Sequence, residues 1–185
     1  MIDGRELLRE EIERIWTIDR REMIEAVYTL ESSALALQPA YYDMQGWPPG
    51  EAEASTRLLE DCYDHGGWFY GLFDDGRLVG VAVLESRFIG RPCDQLQLVF
   101  LHVSHGHRDQ GLGRRLFELA ATEARRRGAR RLYISATPSE HTIGFYLGLG
   151  CAVTAEPDPE LLALEPEDIH LEYDLDTRRR ARRGD

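Results

Sequence analysis

The 185-residue sequence contains no lysine and no asparagine, and all 22 of its basic residues are arginine. Without lysine there is no phosphate-binding loop of the G-x-x-x-x-G-K-[ST] type, whose lysine must reach the outer phosphates. There is also no Schiff-base or pyridoxal phosphate chemistry, since both need a lysine amine to form the imine. Without asparagine there is no N-glycosylation acceptor. Both residues are encoded by triplets that begin AA, so a GC-rich coding sequence accounts for the joint absence. Cysteine is scarce. Cys62, Cys93 and Cys151 are far apart and odd in number, which points to neither a disulfide framework nor a zinc knuckle. No apolar run approaches the ~18–20 residues needed to span a membrane. Met1 to Glu11 carries charges of both signs and lacks an apolar signal core, so a cytoplasmic location is expected.

Hydrophobic residues make up 43% of the chain, enough for one packed core at this length. Residues 1–177 are expected to form a single domain and 178–185 an Arg-rich, disordered tail. Charge divides along the same line. The net charge is −11, but the tail holds five arginines and one aspartate, leaving the body at −15. Such a body repels nucleic acid and favours cationic ligands. The tail keeps nucleic-acid binding open as an alternative function, against the usual reading of a terminal charge run as solvated.

Apolar and polar positions alternate over residues 12–19, which predicts a strand. Helical spacing through Ile24, Val27, Tyr28, Ala34 and Leu35 predicts a helix over 21–37. Turn formers from Pro39 to Gly50 predict a loop, and a helical pattern resumes over 51–64. Residues 68–73 and 78–84 flank Asp75-Gly76 as a β-hairpin. A nearly continuous apolar strand over 95–104 is expected to be buried on both faces. An amphipathic helix follows over 112–127, stopped by Gly128. Further expectations are a strand at 131–136, a helix at 139–149, a strand at 151–155, a loop at 156–168 and a closing strand at 169–175. Antiparallel strands followed by strand–helix alternation predict an α/β fold with a mixed sheet.

The chemistry concentrates between Val103 and Arg115. A buried strand ends, a loop carries Arg108-x-x-Gly111-x-Gly113, and a helix starts at once. Glycines admit close backbone approach, and first-turn amides with the helix dipole make an anion site suited to a pyrophosphate. A dinucleotide-binding fold competes poorly, because its G-x-G-x-x-G follows a first parallel strand.

Residues 101–116 resemble the acetyl-coenzyme A motif, Q/R-x-x-G-x-G/A, of the GNAT family of N-acetyltransferases. Residues 139–153, with Phe145, Tyr146 and Gly150, are similar to that family's second signature, N-x-x-A-x-x-F-Y-x-x-x-G-F. The resemblance extends over about residues 12–175. It implies a mixed central sheet of about seven strands flanked by about four helices, and acetyl transfer from acetyl-coenzyme A to a primary amine by direct attack. It implies that Leu101, His102 and Val103 offer backbone groups to the pantetheine arm. Arg108, Asp109, Gln110, Gly111, Leu112, Gly113 and Arg114 then wrap the pyrophosphate. Tyr146 would act as the catalytic acid toward the departing thiolate, with a core aromatic as the alternative reading. Ser139 stands at the usual asparagine position near pantetheine, where its hydroxyl can also cap the helix.

The family's strand base is missing, since Gln97 and Val99 occupy the positions where some members carry glutamate or histidine. Glu85, Asp94 and a water relay are alternative proton acceptors. His102, His105 and His107 read as core or loop residues, with a proton relay as the alternative. Their division between strand and loop argues against a metal site, so no metal is expected. Acceptor specificity is expected from the first two helices, the Tyr42, Asp43 and Trp47 loop with Glu51 and Glu53, and the loop bearing Glu156, Asp158 and Glu160. Aromatic faces and carboxylates suit a cationic amine, whereas an acidic solvated surface would show the same residues. A homodimer is a further expectation that no motif locates. The competing function is a non-catalytic acyl-coenzyme A-binding or sensor module.

Overall fold

The computed structural model describes residues 1–31 and 34–176. The predicted tail, 178–185, lies outside them. Seven strands form a mixed sheet in the order β1-β4-β5-β6-β7-β9-β8. They are β1 (Ile2–Glu6), β4 (Trp68–Asp74), β5 (Arg77–Ile89), β6 (Gln95–Val103), β7 (Arg131–Ala136), β8 (Ala152–Val153) and β9 (Ile169–Asp174). β2 (Glu22–Glu31) and β3 (Ala34–Met44) form a separate two-stranded sheet. Four α-helices accompany them: α1 (Glu51–Asp64), α2 (Leu112–Arg126), α3 (Glu140–Leu149) and α4 (Pro159–Leu164). This is the expected α/β class.

The described residues pack as two compact units. The first comprises Met1–Glu22, Asp43–Ser86 and Leu98–Thr122. Its core gathers Leu7, Ile12, Ile15, Ile18, Leu59, Phe69, Val81 and Val83. Residues 9–17 are a 3₁₀ helix and not the predicted strand. The buried side chains Ile12, Ile15 and Ile18 recur every third residue, the period of a 3₁₀ turn; read as alternation, the same residues suggested a strand. Glu11 fixes this helix. Its carboxylate accepts from the Leu8 amide at 3.1 Å, from Arg5 at 2.6 and 2.7 Å, and from Arg14 at 2.8 Å. The predicted hairpin is present, and Asp75 and Gly76 at its tip have φ of +46° and +77°, as a two-residue turn requires. β1, unrecognised in the sequence, pairs antiparallel with β4 from Ile2–Asp74 to Glu6–Tyr70.

The second unit comprises Met23–Tyr42, Arg87–Gln97 and the described residues from Glu123 onward. Here the predicted helix over 21–37 is instead the hairpin β2–β3. Val27 forms an antiparallel bridge with Ser139, and the Tyr28 amide donates to the Pro138 carbonyl at 2.7 Å. Backbone pairing thus overrides an apolar spacing that suits either structure. β3 also takes in residues read as the start of a loop. The 156–168 segment contains α4, whose start is specified by Asp158 and Pro159. The Asp158 carboxylate accepts from the Glu160 and Leu161 amides at 3.1 and 3.2 Å, and proline holds the first helical position, a standard N-terminal signal. The strand predicted over 151–155 shrinks to β8. β6 and β7 pair in parallel over three residues, Gln95–Gln97 with Arg131–Tyr133. Asp94 locks that register through an ion pair with Arg131 at 2.9 Å.

Candidate active site

β6 was expected to be buried on both faces, but burial changes along it. Gln95, Leu96 and Leu98 are buried, whereas Val99 to Val103 are all partly exposed. Leu101, His102 and Val103 therefore lie in an accessible half of the strand, beyond its three-residue ladder with β7. The chain then turns. The Ser104 amide donates to the Val79 carbonyl at 2.8 Å, and His105–His107 form one 3₁₀ turn.

Two left-handed residues shape the loop, Asp109 at φ +60° and Gly111 at φ +77°. No atom lies within 4 Å of where a Gly111 side chain would begin, so the loop is open at its glycine. The first rung of the α2 ladder is the Arg115 amide donating to the Gly111 carbonyl at 3.0 Å. The amides of Leu112, Gly113 and Arg114 precede that rung and have no intrahelical acceptor. Arg114 is exposed and Gln110 and Asp109 are exposed with it. A run of backbone donors at the positive end of a 15-residue helix can hold an anion. Arg108 behaves differently. Its amide donates to the His105 carbonyl, its Nε donates to the Val103 carbonyl at 3.2 Å, and its guanidinium faces Glu22 at 3.6 Å. The first residue of the motif thus ties the loop back to the end of β6.

Each of the three histidines has its own surroundings. His105 Nδ1 lies 3.1 Å from the Arg21 carbonyl, and His107 Nε2 lies 3.2 Å from Asp74. The His102 ring packs against Trp47 and Phe100 at centroid distances of 4.9 and 5.2 Å. Burial, then Arg20 and Arg108, push its pKa down to about 3, so it is neutral at physiological pH. Among the described residues no three His, Cys, Asp or Glu side chains converge as a metal site. Trp16, Arg20, Glu22 and Phe100 were not singled out in the sequence. Phe100 and His102 could have been paired, being two apart on a strand. The others are brought in by tertiary packing that no local motif encodes.

In the second unit, Ser139 caps α3. Its Oγ accepts from the Thr142 amide at 3.2 Å and donates to the Thr142 hydroxyl at 2.9 Å. Tyr146 is buried on the same helix, and burial raises its pKa well above the ordinary phenol value. Cys151, whose amide donates to the Tyr146 carbonyl at 3.0 Å, is likewise buried, with its thiol pushed up to about 12 by desolvation. The segment bearing α4 is pinned by a buried relay. The Tyr133 hydroxyl donates to His170 Nδ1 at 2.7 Å and accepts from the Asp158 amide at 3.0 Å, while His170 Nε2 donates to the Glu165 carbonyl at 3.2 Å. Of the expected acceptor-side acids, Asp158 is committed to capping α4 and Glu160 faces Arg87 at 3.1 Å. Of the candidate bases, Asp94 is held by Arg131, and Glu85 accepts from the Ser86 amide at 2.7 Å.

An accessible strand edge that leads directly into a run of unsatisfied amides fits an elongated ligand with an amide-bearing arm and an anionic end. That is the outline of a coenzyme A thioester, and it places the protein among the acyltransferases. The profile of the acetyltransferase (GNAT) family matches residues 24–150, and the chain belongs to that family. It is an acetyl-coenzyme A-dependent acyltransferase. No curated protein matches the sequence. Among solved structures, nourseothricin acetyltransferase is similar with a TM-score of 0.69 at 19% identity, over 94% of this chain and 98% of that one. PaiA N-acetyltransferase from Thermoplasma acidophilum, in complex with coenzyme A, has a TM-score of 0.62 at 16% identity, over 94% and 99%. N-acetylglutamate synthase from Neisseria gonorrhoeae, complexed with coenzyme A and N-acetyl-glutamate, has a TM-score of 0.63 at 20% identity, over 95% of this chain and 35% of that one. At these identities the structures share the fold. No helix among the described residues is long and apolar enough to cross a membrane.

Proposed function

We propose that the protein acetylates a primary amine, a small cationic amine or a peptide amine, by direct attack on the thioester. The observation that carries this reading is the amide run from Leu112 to Arg114 at the start of α2, on the loop that follows the accessible end of β6. Acetyl-coenzyme A supplies an activated acetyl group when bound. The amides of Leu112, Gly113 and Arg114 hold its pyrophosphate, and backbone groups of Leu101 to Val103 orient its arm. Backbone N–H groups at the strand end take up charge developing on the acetyl oxygen. Tyr146 supplies a proton to the leaving sulfur. Its raised pKa keeps the phenol protonated, as a proton donor must be. No side chain on β6 takes the amine's proton, because Gln97 and Val99 stand where a base is sought; water takes that role. The acidic body, at −15 within a chain of −11 overall, raises the local concentration of cationic acceptors.

The missing strand base favours a second reading, a binding or sensor module without turnover. One experiment separates the two. Coenzyme A thiol release is followed across an amine panel for the wild type and Tyr146→Phe, with acetyl-coenzyme A affinity measured by calorimetry. The expected result is a fall in kcat of ~10²-fold or more with affinity within about two-fold. Unchanged turnover removes Tyr146 from the mechanism. Tight binding with no release on any amine supports the sensor reading. Loss of binding in Gly111→Glu, which closes the open glycine, locates the coenzyme on this loop.

A further inference from the structure

We infer that the Ile2–Asp74 rung of the β1–β4 ladder clamps the loop between β6 and α2 at both of its ends, and that Asp74, acting through His107, is a positioning residue for coenzyme A. This rests on the reading that the loop and the start of α2 hold the coenzyme's pyrophosphate. It adds to that reading a residue from another element and a dependence of coenzyme affinity on pH.

All the parts lie within the first unit. Ile2 and Asp74 are partners at the first rung of the antiparallel ladder. From the strand side, His107 ends the 3₁₀ turn that precedes Arg108, and its Nε2 lies 3.2 Å from one Asp74 carboxylate oxygen. From the helix side, Arg115 stands in the first turn of α2, and its guanidinium donates to the Ile2 carbonyl at 3.5 Å. The two contacts bracket residues 108–114, and both end on one rung at the edge of the sheet. Between them the backbone is left-handed at Asp109 and Gly111 and open at the glycine. Fixing both ends of such a segment limits the arrangements its amides can adopt. The ordering cost that falls on a bound ligand is reduced to match.

The two anchors differ in chemistry. The Arg115 bond ends on a carbonyl and is indifferent to pH. The His107 bond joins an imidazole to a carboxylate, and a charge-assisted hydrogen bond is roughly twice as strong as a neutral one. Facing this contact are Asp74 from β4, the Met1 amine from β1 on the other Asp74 oxygen, and Arg115 across the rung. On the loop itself, His105 meets the Arg21 carbonyl, and Arg108 meets the Val103 carbonyl and Glu22. The bond from His107, then the Met1 amine against the opposing effect of burial, holds the Asp74 carboxyl below its usual range. The carboxylate is therefore ionised wherever an imidazole titrates. A proton on His107 strengthens the clamp, and a pyrophosphate on the same loop favours the same proton. Coenzyme affinity is thus greatest where the imidazole is charged and falls as pH rises through its titration.

The test uses the full-length protein and 3′-dephospho-coenzyme A, whose pyrophosphate keeps its charge across the range, titrated by calorimetry between about pH 5.5 and pH 8.5. Wild-type affinity is expected to fall about three- to ten-fold from the lowest pH to the highest, the size of one charge-assisted contact. His107→Gln keeps an amide donor without a titrating group, and Asp74→Asn keeps an acceptor without the charge. Each is expected to bind at the wild type's high-pH level or below it, with the trend gone. Both remove the same contact, so the double variant should bind no worse than the weaker single one. Titrations at neutral pH in buffers of different ionisation enthalpy should show proton uptake by the wild type and none by His107→Gln. If Asp74→Asn fails to fold, His107→Gln decides alone. The inference is overturned if His107→Gln keeps the wild-type trend, if the wild type shows no trend, or if the two single losses add. A wild type that binds the probe, with both variants indistinguishable from it, removes the clamp alone. A wild type that binds neither the probe nor acetyl-coenzyme A removes the coenzyme-loop reading itself.

Discussion

At the scale of single residues, the two family signatures carried most of the information. Tyr146 is recognisable because it follows Phe145 in a short, glycine-ended pattern, and Ser139 because a serine before a helix is a capping signal in its own right. The capping role makes a quantitative claim. Ser139→Ala removes the acceptor for the Thr142 amide and should cost about 1 kcal/mol, measured by urea denaturation. Ser139→Asn, which restores the family residue, keeps the cap and should be near neutral. Arg20 and Trp16 were illegible for the opposite reason. Neither belongs to a motif, and each gains meaning only from Trp47, about 30 residues away, through packing that spacing along the chain does not reveal. Arg108 was legible as a motif residue but not in its bonding, because Glu22 reaches it from a segment read as the start of a helix.

At the scale of elements, the sequence was most informative where local chemistry and tertiary demand agree. α1, α2, β4 and β7 lie within a residue or two of expectation, and so does the start of β5 after its Asp-Gly turn, although β5 runs on to Ile89, five residues past the expected end. The failures are equally physical. Ile12, Ile15 and Ile18 are three apart, the period of a 3₁₀ turn, and with Trp16 among them the segment reads as a strand's alternation. The β2–β3 hairpin lacks an Asn-Gly or Asp-Gly turn to announce it, and its backbone pairs with a segment over 100 residues away. The end of α1 offers a direct test of packing at an element boundary. A methyl group at Gly67 would lie 2.7 Å from the Cys62 carbonyl oxygen and against the Cys62 sulfur. The Gly67 amide meanwhile donates to that carbonyl at 2.8 Å, so the backbone cannot back away without losing a bond. Gly67→Ala should therefore destabilise the protein by about 2–3 kcal/mol, seen as a lowered midpoint in thermal or urea unfolding.

At the scale of the whole molecule, charge decides how stability follows pH. His102 has a folded pKa of about 3 against an ordinary 6.5, so between those values the unfolded chain binds the extra proton. Stability is lost as pH falls through that window. Glu11, held down to about 2 first by Arg5 and then by the Leu8 amide, adds a second loss as pH falls below about 4.5. His65 works the other way, its pKa being raised first by its bond to Asp61, but it is solvent-exposed and contributes little. The Tm is thus expected to drop steadily from pH 7 to pH 4. His102→Phe keeps an aromatic ring in place and should flatten the part between pH 6.5 and 4.5, worth on the order of 1–3 kcal/mol at most. An unchanged profile would mean that His102 titrates normally. Composition had shown only a net charge. It could not show that one imidazole, His102, is kept neutral first by burial and then by Arg20 and Arg108.

The edge-on contact between Trp16 and Trp47, at 4.9 Å and 81°, also makes the protein its own optical probe. Two indoles that close and nearly perpendicular couple their excited states, so the pair should contribute a split band to the circular dichroism spectrum. Trp68 stacks on Tyr70 and stays outside that pair. An unprotonated imidazole is a weak quencher, so emission from Trp47 should remain bright well into the acidic range. Any molecule that settles on these rings would announce itself by changing the light they give back.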